Sequence, residues 1–189
     1  MIGIDEVGRG CWAGPLLVVA SRPIGRLPHR LGDSKSFSPL QREVIYNKLQ
    51  KSCIFGEGWV SSSEIDTSGL SRALRVGAQR ALRALMAALD EEIIIDGSIN
   101  YAPSTYAQAR CIIKADSSVP LVSAAAVYAK VTRDKYMTKL AAEHPAYGFE
   151  RHVGYGTKAH QQAILKKGII KNVHRLSFKP IRMLAEVKL

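Results

Sequence analysis

A chain of 189 residues with 47% apolar side chains can bury one good-sized core, and its 27 Lys and Arg against 16 Asp and Glu leave a net charge of +11. Three cysteines, Cys11, Cys53 and Cys111, lie far apart and form no CxxC pair, so neither a disulfide framework nor a zinc ribbon is suggested. No apolar run reaches membrane-spanning length, and Asp5 and Glu6 stand where a secretory leader would be basic, so a cytoplasmic protein with no membrane partner is expected.

In chain order, Met1 to Ile4 and Gly14 to Ala20 read as two strands of an N-terminal hairpin or meander around a Gly-rich turn. Ser38-Pro39-Leu40-Gln41 is a helix start with a capping box, predicting a helix through about Gln50. A strand around Cys53 to Val60 follows. Leu74, Ala78, Ala81, Leu85 and Leu89 then recur at three- and four-residue spacing, an amphipathic helix over 70–89. Glu92 to Asp96 and Cys111 to Lys114 are short continuous apolar runs, expected as central, parallel strands. A long helix from Pro120 to about Ala142 carries a small-residue face, Ser123 to Ala126 and Ala129, that suits close packing. From Pro145 the chain is punctuated by Gly and His, with one short helical stretch near Ala159 to Lys167. The expectation is an α/β fold divided into residues 1–144 and a C-terminal helical and loop extension, 145–189.

Charge is unevenly spread. Residues 151–189 hold nine Lys or Arg against one acid, Glu186, whereas residues 51–100 hold five bases against seven acids. With a pI near 9.8, this asymmetry is that of a phosphate-facing surface or of an otherwise unspecialised basic enzyme.

Against that background the acids at strand ends are unexpected: Asp5 and Glu6, Asp96, and Asp116. Each alone reads as a turn former. Together, at the ends of strands of one sheet, they would repel one another unless some are protonated or a divalent cation lies between them. Oxygen ligands without His or Cys select Mg²⁺ or Mn²⁺, and two such ions would clamp the attacking and leaving oxygens of a phosphodiester hydrolysis. Adjacent strand residues face opposite ways, so Asp5 and Glu6 serve one site only if the strand breaks, as the Gly8-Arg9-Gly10 turn suggests, or if one offers its backbone carbonyl.

The segments IDEVGRG (4–10), AGP (13–15), DSK (33–35), IIDG (94–97), KAD (114–116), SAAAVYAKVTRD (123–134), YGFERHVGYGT (147–157) with His160, and HRLSF (174–178) resemble, in order and over nearly the whole chain, the ribonuclease HII family. The resemblance implies a ribonuclease H-like fold with a mixed central sheet flanked by helices. It implies four metal-binding acids, here Asp5, Glu6, Asp96 and Asp116, holding two Mg²⁺ or Mn²⁺ ions. The implied activity is cleavage of RNA in RNA–DNA hybrids and incision 5′ of single ribonucleotides embedded in duplex DNA, leaving a 3′-hydroxyl and a 5′-phosphate. Gly8, Arg9 and Gly10 match the family's reader of the ribonucleotide 2′-hydroxyl, and Tyr155 matches the tyrosine that stacks on the following sugar. Lys35, in DSK, reads as a phosphate ligand or a solvated loop lysine. Cys11-Trp12 stands where the family often has Pro-Leu, Ala126 where Ser is common, and Leu176 where Arg is frequent. Trp12 reads as packing beside the sensing loop.

Asp134, mid-helix and four residues from Lys130, reads as an ion-pair partner rather than a ligand. His144, His152, His160 and His174 have no zinc spacing and read as phosphate contacts or caps. The rival functions are a non-catalytic basic nucleic-acid-binding protein, which leaves four strand-end acids unexplained, and another nuclease of the same fold, against which the GRG and GYGT segments argue. A monomer is expected.

Overall fold

In the computed structural model, the structure describes residues 1–28, 31 and 37–186. Its described elements are β1 (Ile2–Val7), β2 (Leu16–Pro23), α1 (Pro39–Ser52), β3 (Cys53–Val60), α2 (Ser62–Ser68), α3 (Leu70–Ala84), β4 (Ile93–Asp96), β5 (Ala109–Ile112), α4 (Ala115–Ser118), α5 (Pro120–Glu143), α6 (Phe149–His152), α7 (Lys158–Lys167) and α8 (Lys179–Glu186). The five strands form one sheet in the order β3-β2-β1-β4-β5. β1 and β2 pair antiparallel, as the hairpin pattern predicts, while β1, β4 and β5 run parallel; β4 is a continuous apolar strand buried inside the sheet, but β5, expected as central, is an edge strand with no fully buried residue.

The chain divides into two compact units. Unit 1 comprises Met1–Val7, Leu17–Trp59 and Leu74–Val131, and unit 2 comprises Gly8–Leu16, Val60–Ala73 and Thr132–Leu189. Residues 145–189, expected as a separate extension, therefore belong with the loop after β1, with α2 and with the second half of α5.

Within unit 1 the small-residue face of α5 does what its composition suggests. Ala124 and Val127 pack with Leu49, Cys53 and Leu121, and Ala125 and Ala129 pack with Leu17 and Val19 of β2. At Gly3 of β1 the approach is closer still: a Cβ there would run into the Leu121–Val122 peptide of α5, 2.5 Å from the Val122 nitrogen. Ser21 on β2 donates its hydroxyl to the Leu121 carbonyl at 2.7 Å, completing the seam. α1 starts with the expected capping box, Ser38 and Gln41 satisfying each other's backbone amides with Pro39 in the first turn.

Three expectations move. α3 ends at Ala84 rather than Leu89, because Met86 takes a left-handed conformation at φ 52° and turns the chain out; Leu85 is buried, but Leu89 is 60% exposed. β5 is Ala109–Ile112, not Cys111 to Lys114, and Lys114 at φ 59° instead opens the short helix α4 that carries Asp116. α2 and α8 were not expected, although α2 starts with a Ser61–Glu64 capping box and α8 buries Ile181 and Leu184 on one face; both are short. In unit 2, Met137, Leu140, Tyr147, Phe149, Ile164 and Ile181 form a second core against which Trp12 is partly buried.

The α5–β1 seam generates a test. Gly3→Ala overpacks backbone against backbone, where no side chain can swing away, and should destabilise the fold by about 3 kcal/mol, read as a lower urea midpoint. The same change at Gly10, where an added Cβ meets nothing within 4 Å, should leave the midpoint unchanged.

Candidate active site

All four predicted acids lie in unit 1, and the parallel register sets Asp5 and Asp96 side by side. Gly3 pairs with Ile94 and Ile4 with Ile95. Side-chain alternation then puts Asp5 and Asp96 on the same face as Gly3 and Ile94, the face that α5 covers. Asp116 arrives from α4, just before α5: its backbone N–H approaches Asp96 Oδ1 at 3.4 Å, and its carbonyl accepts the Ser123 hydroxyl. The strand end, the short helix and the start of α5 are thus tied through the acids' own polar groups.

β1 does not break at the paired acids. It continues through Val7, with Asp5 opposite Val19 and Glu6 opposite Val18, so Glu6 leaves from the other face; the turn begins only at Gly8, φ +87°. Asp5 Oδ1 accepts the Glu6 backbone N–H at 2.7 Å. The Glu6 carboxylate accepts the hydroxyl of Tyr101 at 2.7 Å, and Tyr101 itself is 3% exposed. Tyr101 was missed by sequence reasoning: a lone tyrosine in an irregular stretch carries no pattern, and only the fold puts its hydroxyl on Glu6.

The electrostatics record this gathering. Burial first, and the neighbouring Glu6 next, push the Asp5 carboxyl well above the usual carboxylate range; Asp96 and Asp116 push the same way, while the hydrogen bond from the Glu6 amide opposes them. Burial and the Glu6 charge likewise raise the Tyr101 hydroxyl, which stays protonated at neutral pH and so remains a donor. The donor set is carboxylate oxygen without His or Cys, the chemistry of a hard divalent cation. Among the described residues no three such side chains already form a ligand cage. The residues fit a cation by donor type and by the repulsion a cation would relieve.

The other expected site residues, apart from Lys35, fall in unit 2. Gly8, Arg9 and Gly10 begin the loop after β1, with the Cys11 N–H bonded to the Gly8 carbonyl at 3.3 Å. Tyr155 is 41% exposed, next to a Cys11 side chain that is fully buried and points its thiol at the Val153 carbonyl. Trp12 packs: its indole lies where a Cβ on Gly156 would be, and its ring is 5.8 Å from that of His160. Asp134 lies on the unit 2 half of α5, where its charge reaches Tyr155. Lys35, with Asp33 and Ser34, lies outside the described residues.

The histidines correct their expectation. His152, His160 and His174 are not phosphate contacts; they are buried in unit 2, with His152 and His160 stacked at 4.4 Å and the Nε2 atoms of His160 and His174 3.1 Å apart. Their partners assign the protons. His160 Nδ1–H donates to the Tyr155 carbonyl at 2.9 Å, so its Nε2 accepts from His174 Nε2–H, and His174 Nδ1 accepts the Ile170 amide at 2.9 Å. Burial pulls both His160 and His174 down to about 4, so both are neutral at pH 7.

The family described as Ribonuclease HII matches residues 2–181. Ribonuclease HII of Coxiella burnetii (strain Dugway 5J108-111) is 41% identical over 186 residues, 96% of this chain and 89% of that protein. The ribonuclease HII in the PCNA:RNase HII complex from Archaeoglobus fulgidus is 25% identical and superposes with a TM-score of 0.78 over 97% of this chain and 95% of that one. Bst-RNase HIII in complex with Mn²⁺ shares the fold at 19% identity, with a TM-score of 0.71 over 98% of this chain and 69% of that one.

Two outcomes follow from the charges. Because Asp5 is raised, the stability it contributes is present only when it is protonated and is lost as pH climbs through its folded pKa. Asp5→Asn should therefore raise the melting temperature at pH 7.5 in chelator, by a few degrees at roughly 2–4 °C per kcal/mol. The histidines act in the opposite sense: their folded values lie below the ordinary 6.5, so their contribution is complete above pH 6.5 and is lost as pH falls towards 4. At pH 5 the loss should be on the order of 2 kcal/mol per histidine, read as a urea midpoint that falls between pH 7 and 5 in the parent and falls less in His160→Gln.

Proposed function

The chain belongs to the ribonuclease HII family of hydrolytic endoribonucleases acting on RNA–DNA hybrids, and on that premise we propose that it also incises 5′ of single ribonucleotides embedded in duplex DNA, leaving a 3′-hydroxyl and a 5′-phosphate. The observation that supports the reading is the gathering of Asp5, Asp96 and Asp116 from three separate parts of a strongly basic chain, with Glu6 beside them, and a buried Asp5 whose carboxyl is raised first by burial and then by the neighbouring acids.

In this reading Asp5, Asp96 and Asp116 hold divalent metal through their carboxylates. Glu6, turned to the opposite face by the unbroken strand, contributes through its backbone carbonyl or through a carboxylate steadied by Tyr101. Two Mg²⁺ or Mn²⁺ ions, when bound, supply Lewis-acid stabilisation of the attacking and leaving oxygens. The protein's own groups select the bond. Gly8, Arg9 and Gly10 read the 2′-hydroxyl, the one group that separates RNA from DNA, with a backbone that glycine lets come close. Tyr155, partly exposed, offers its ring to the sugar that follows. The basic run of residues 151–189 supplies phosphate contacts, so residues 145–189 complete the substrate surface. Lys35 joins them as a phosphate ligand. We further propose that the protein acts in the cytoplasm as a monomer.

A DNA duplex carrying one ribonucleotide tests the reading. Incision 5′ to that nucleotide should require Mg²⁺ or Mn²⁺, and Asp5→Asn should lose at least about 100-fold in rate. Gly10→Ala, which the fold accommodates without contact, should keep the metal-induced rise in melting temperature while losing single-ribonucleotide incision more than hybrid cleavage. Binding without cleavage would return the protein to a nucleic-acid-binding role. Cleavage of all-RNA hybrids without junction incision would place its specificity with the type 1 ribonucleases H.

A further inference from the structure

Two arginines are the largest fully buried side chains among the described residues, and neither belongs to the proposed catalytic or substrate-binding groups. Arg133 and Arg175, both in unit 2 and both 0% exposed, make their described hydrogen bonds to backbone carbonyls rather than to carboxylates. Arg133 donates from Nε to Pro15 at 2.8 Å, from Nη1 to Val153 at 2.8 Å and from Nη2 to Ala13 at 3.2 Å. Arg175 donates from Nε and Nη2 to Gly14 at 3.1 and 2.9 Å, and from Nη1 to Arg9 at 3.0 Å.

These acceptors are not scattered. Except for Val153, they all lie between Arg9 and Pro15, the segment that continues the Gly8-Arg9-Gly10 turn. The Arg175 backbone N–H takes the Trp12 carbonyl as well, at 2.8 Å. Gly8, at φ +87°, sits so close to Arg133 that a Cβ would lie 2.9 Å from the guanidinium carbon. A buried guanidinium is planar, with five donors in a fixed fork, so it holds several carbonyls at set angles as no lysine can. Burying that charge against neutral acceptors is unfavourable unless every donor is used. Among the described residues neither arginine leaves a buried side-chain nitrogen unpartnered.

We propose that Arg133 and Arg175 are positioning residues that set the conformation of the 2′-hydroxyl-reading turn, and through it the preference for a single ribonucleotide over a continuous hybrid. The inference rests on the reading of Gly8 to Gly10 given above. Lysine at either position keeps the charge but loses the fork, so the turn is held by fewer bonds, and misplacement of a reading group by even an ångström is felt strongly in rate.

The experiment compares Arg175→Lys, Arg133→Lys and the parent on two substrates, a duplex with one ribonucleotide and an RNA–DNA hybrid, below each protein's melting temperature. The expected result is a ratio of single-ribonucleotide to hybrid cleavage lowered about 10- to 100-fold, seen in kcat rather than KM. A general loss of structure would lower both activities equally, and an equal loss, or an unchanged ratio, overturns the proposal. Should a lysine variant not fold, the arginine Nε–H resonances of the parent decide: slow exchange with a shift on binding the ribonucleotide-bearing duplex but not an all-DNA duplex is expected, and fast exchange or the same response to both duplexes overturns it. If the parent itself fails to incise a single ribonucleotide, the functional reading falls instead.

Discussion

Negative charge gathered inside a positive protein is the constraint to which the rest of the structure answers. Asp5, Asp96 and Asp116 come from a strand, its parallel neighbour and a four-residue helix, and each is held there by backbone geometry rather than by attraction to the others. The cost of gathering them appears at Asp5, whose carboxyl resists ionisation first because it is buried and then because Glu6, Asp96 and Asp116 lie near it. Such an arrangement persists only because the surrounding packing over-determines it. The backbone contact of Gly3 with α5, and the tie from Ser123 to the Asp116 carbonyl, are what hold the acids in place against their own field.

A second kind of rigidity serves the loop after β1. Where the acids are fixed by strand and helix, this loop has no regular ladder for most of its length, and its polar groups are satisfied by side chains. The Gly14 carbonyl illustrates this, taking bonds from Arg175 and from the Ser62 hydroxyl at 3.1 Å. Irregular backbone without such partners would be mobile or strained. Buried arginines supply the partners, while Gly10 stays open, with nothing within 4 Å of where a Cβ would stand.

The histidine cluster extends the same economy of polar groups to the segment before α7. His160 fixes the Tyr155 carbonyl, so the exposed tyrosine ring is mounted on a backbone held from beneath, and the chain of donors runs on through His174 to the Ile170 amide. The residues that depart from the family pattern sit at the edges of this arrangement. Trp12 fills space over Gly156, and Leu176, in place of the frequent Arg, is 41% exposed while its backbone N–H bonds to Asp66.

Periodicity and order along the chain were enough to place β1, β2, α1, β4 and α5, because each carries its own apolar repeat, cap or uninterrupted apolar run, and these are local properties. Asp5, Glu6 and Asp96 were legible for the same reason, as acids at the ends of apolar runs, whereas Asp116 lies beyond β5 in the short helix α4. Lying outside that reach were the persistence of β1 through Glu6, the ending of α3 at Ala84, the hydrogen bond from Tyr101 and the burial of Arg133, Arg175 and the three histidines. Charged and titratable residues ordinarily belong at the surface, and nothing in their spacing says otherwise. What buries them is a set of carbonyls far away in sequence, as with Arg175 and Arg9, 166 residues apart, and only the folded chain brings such donors and acceptors together.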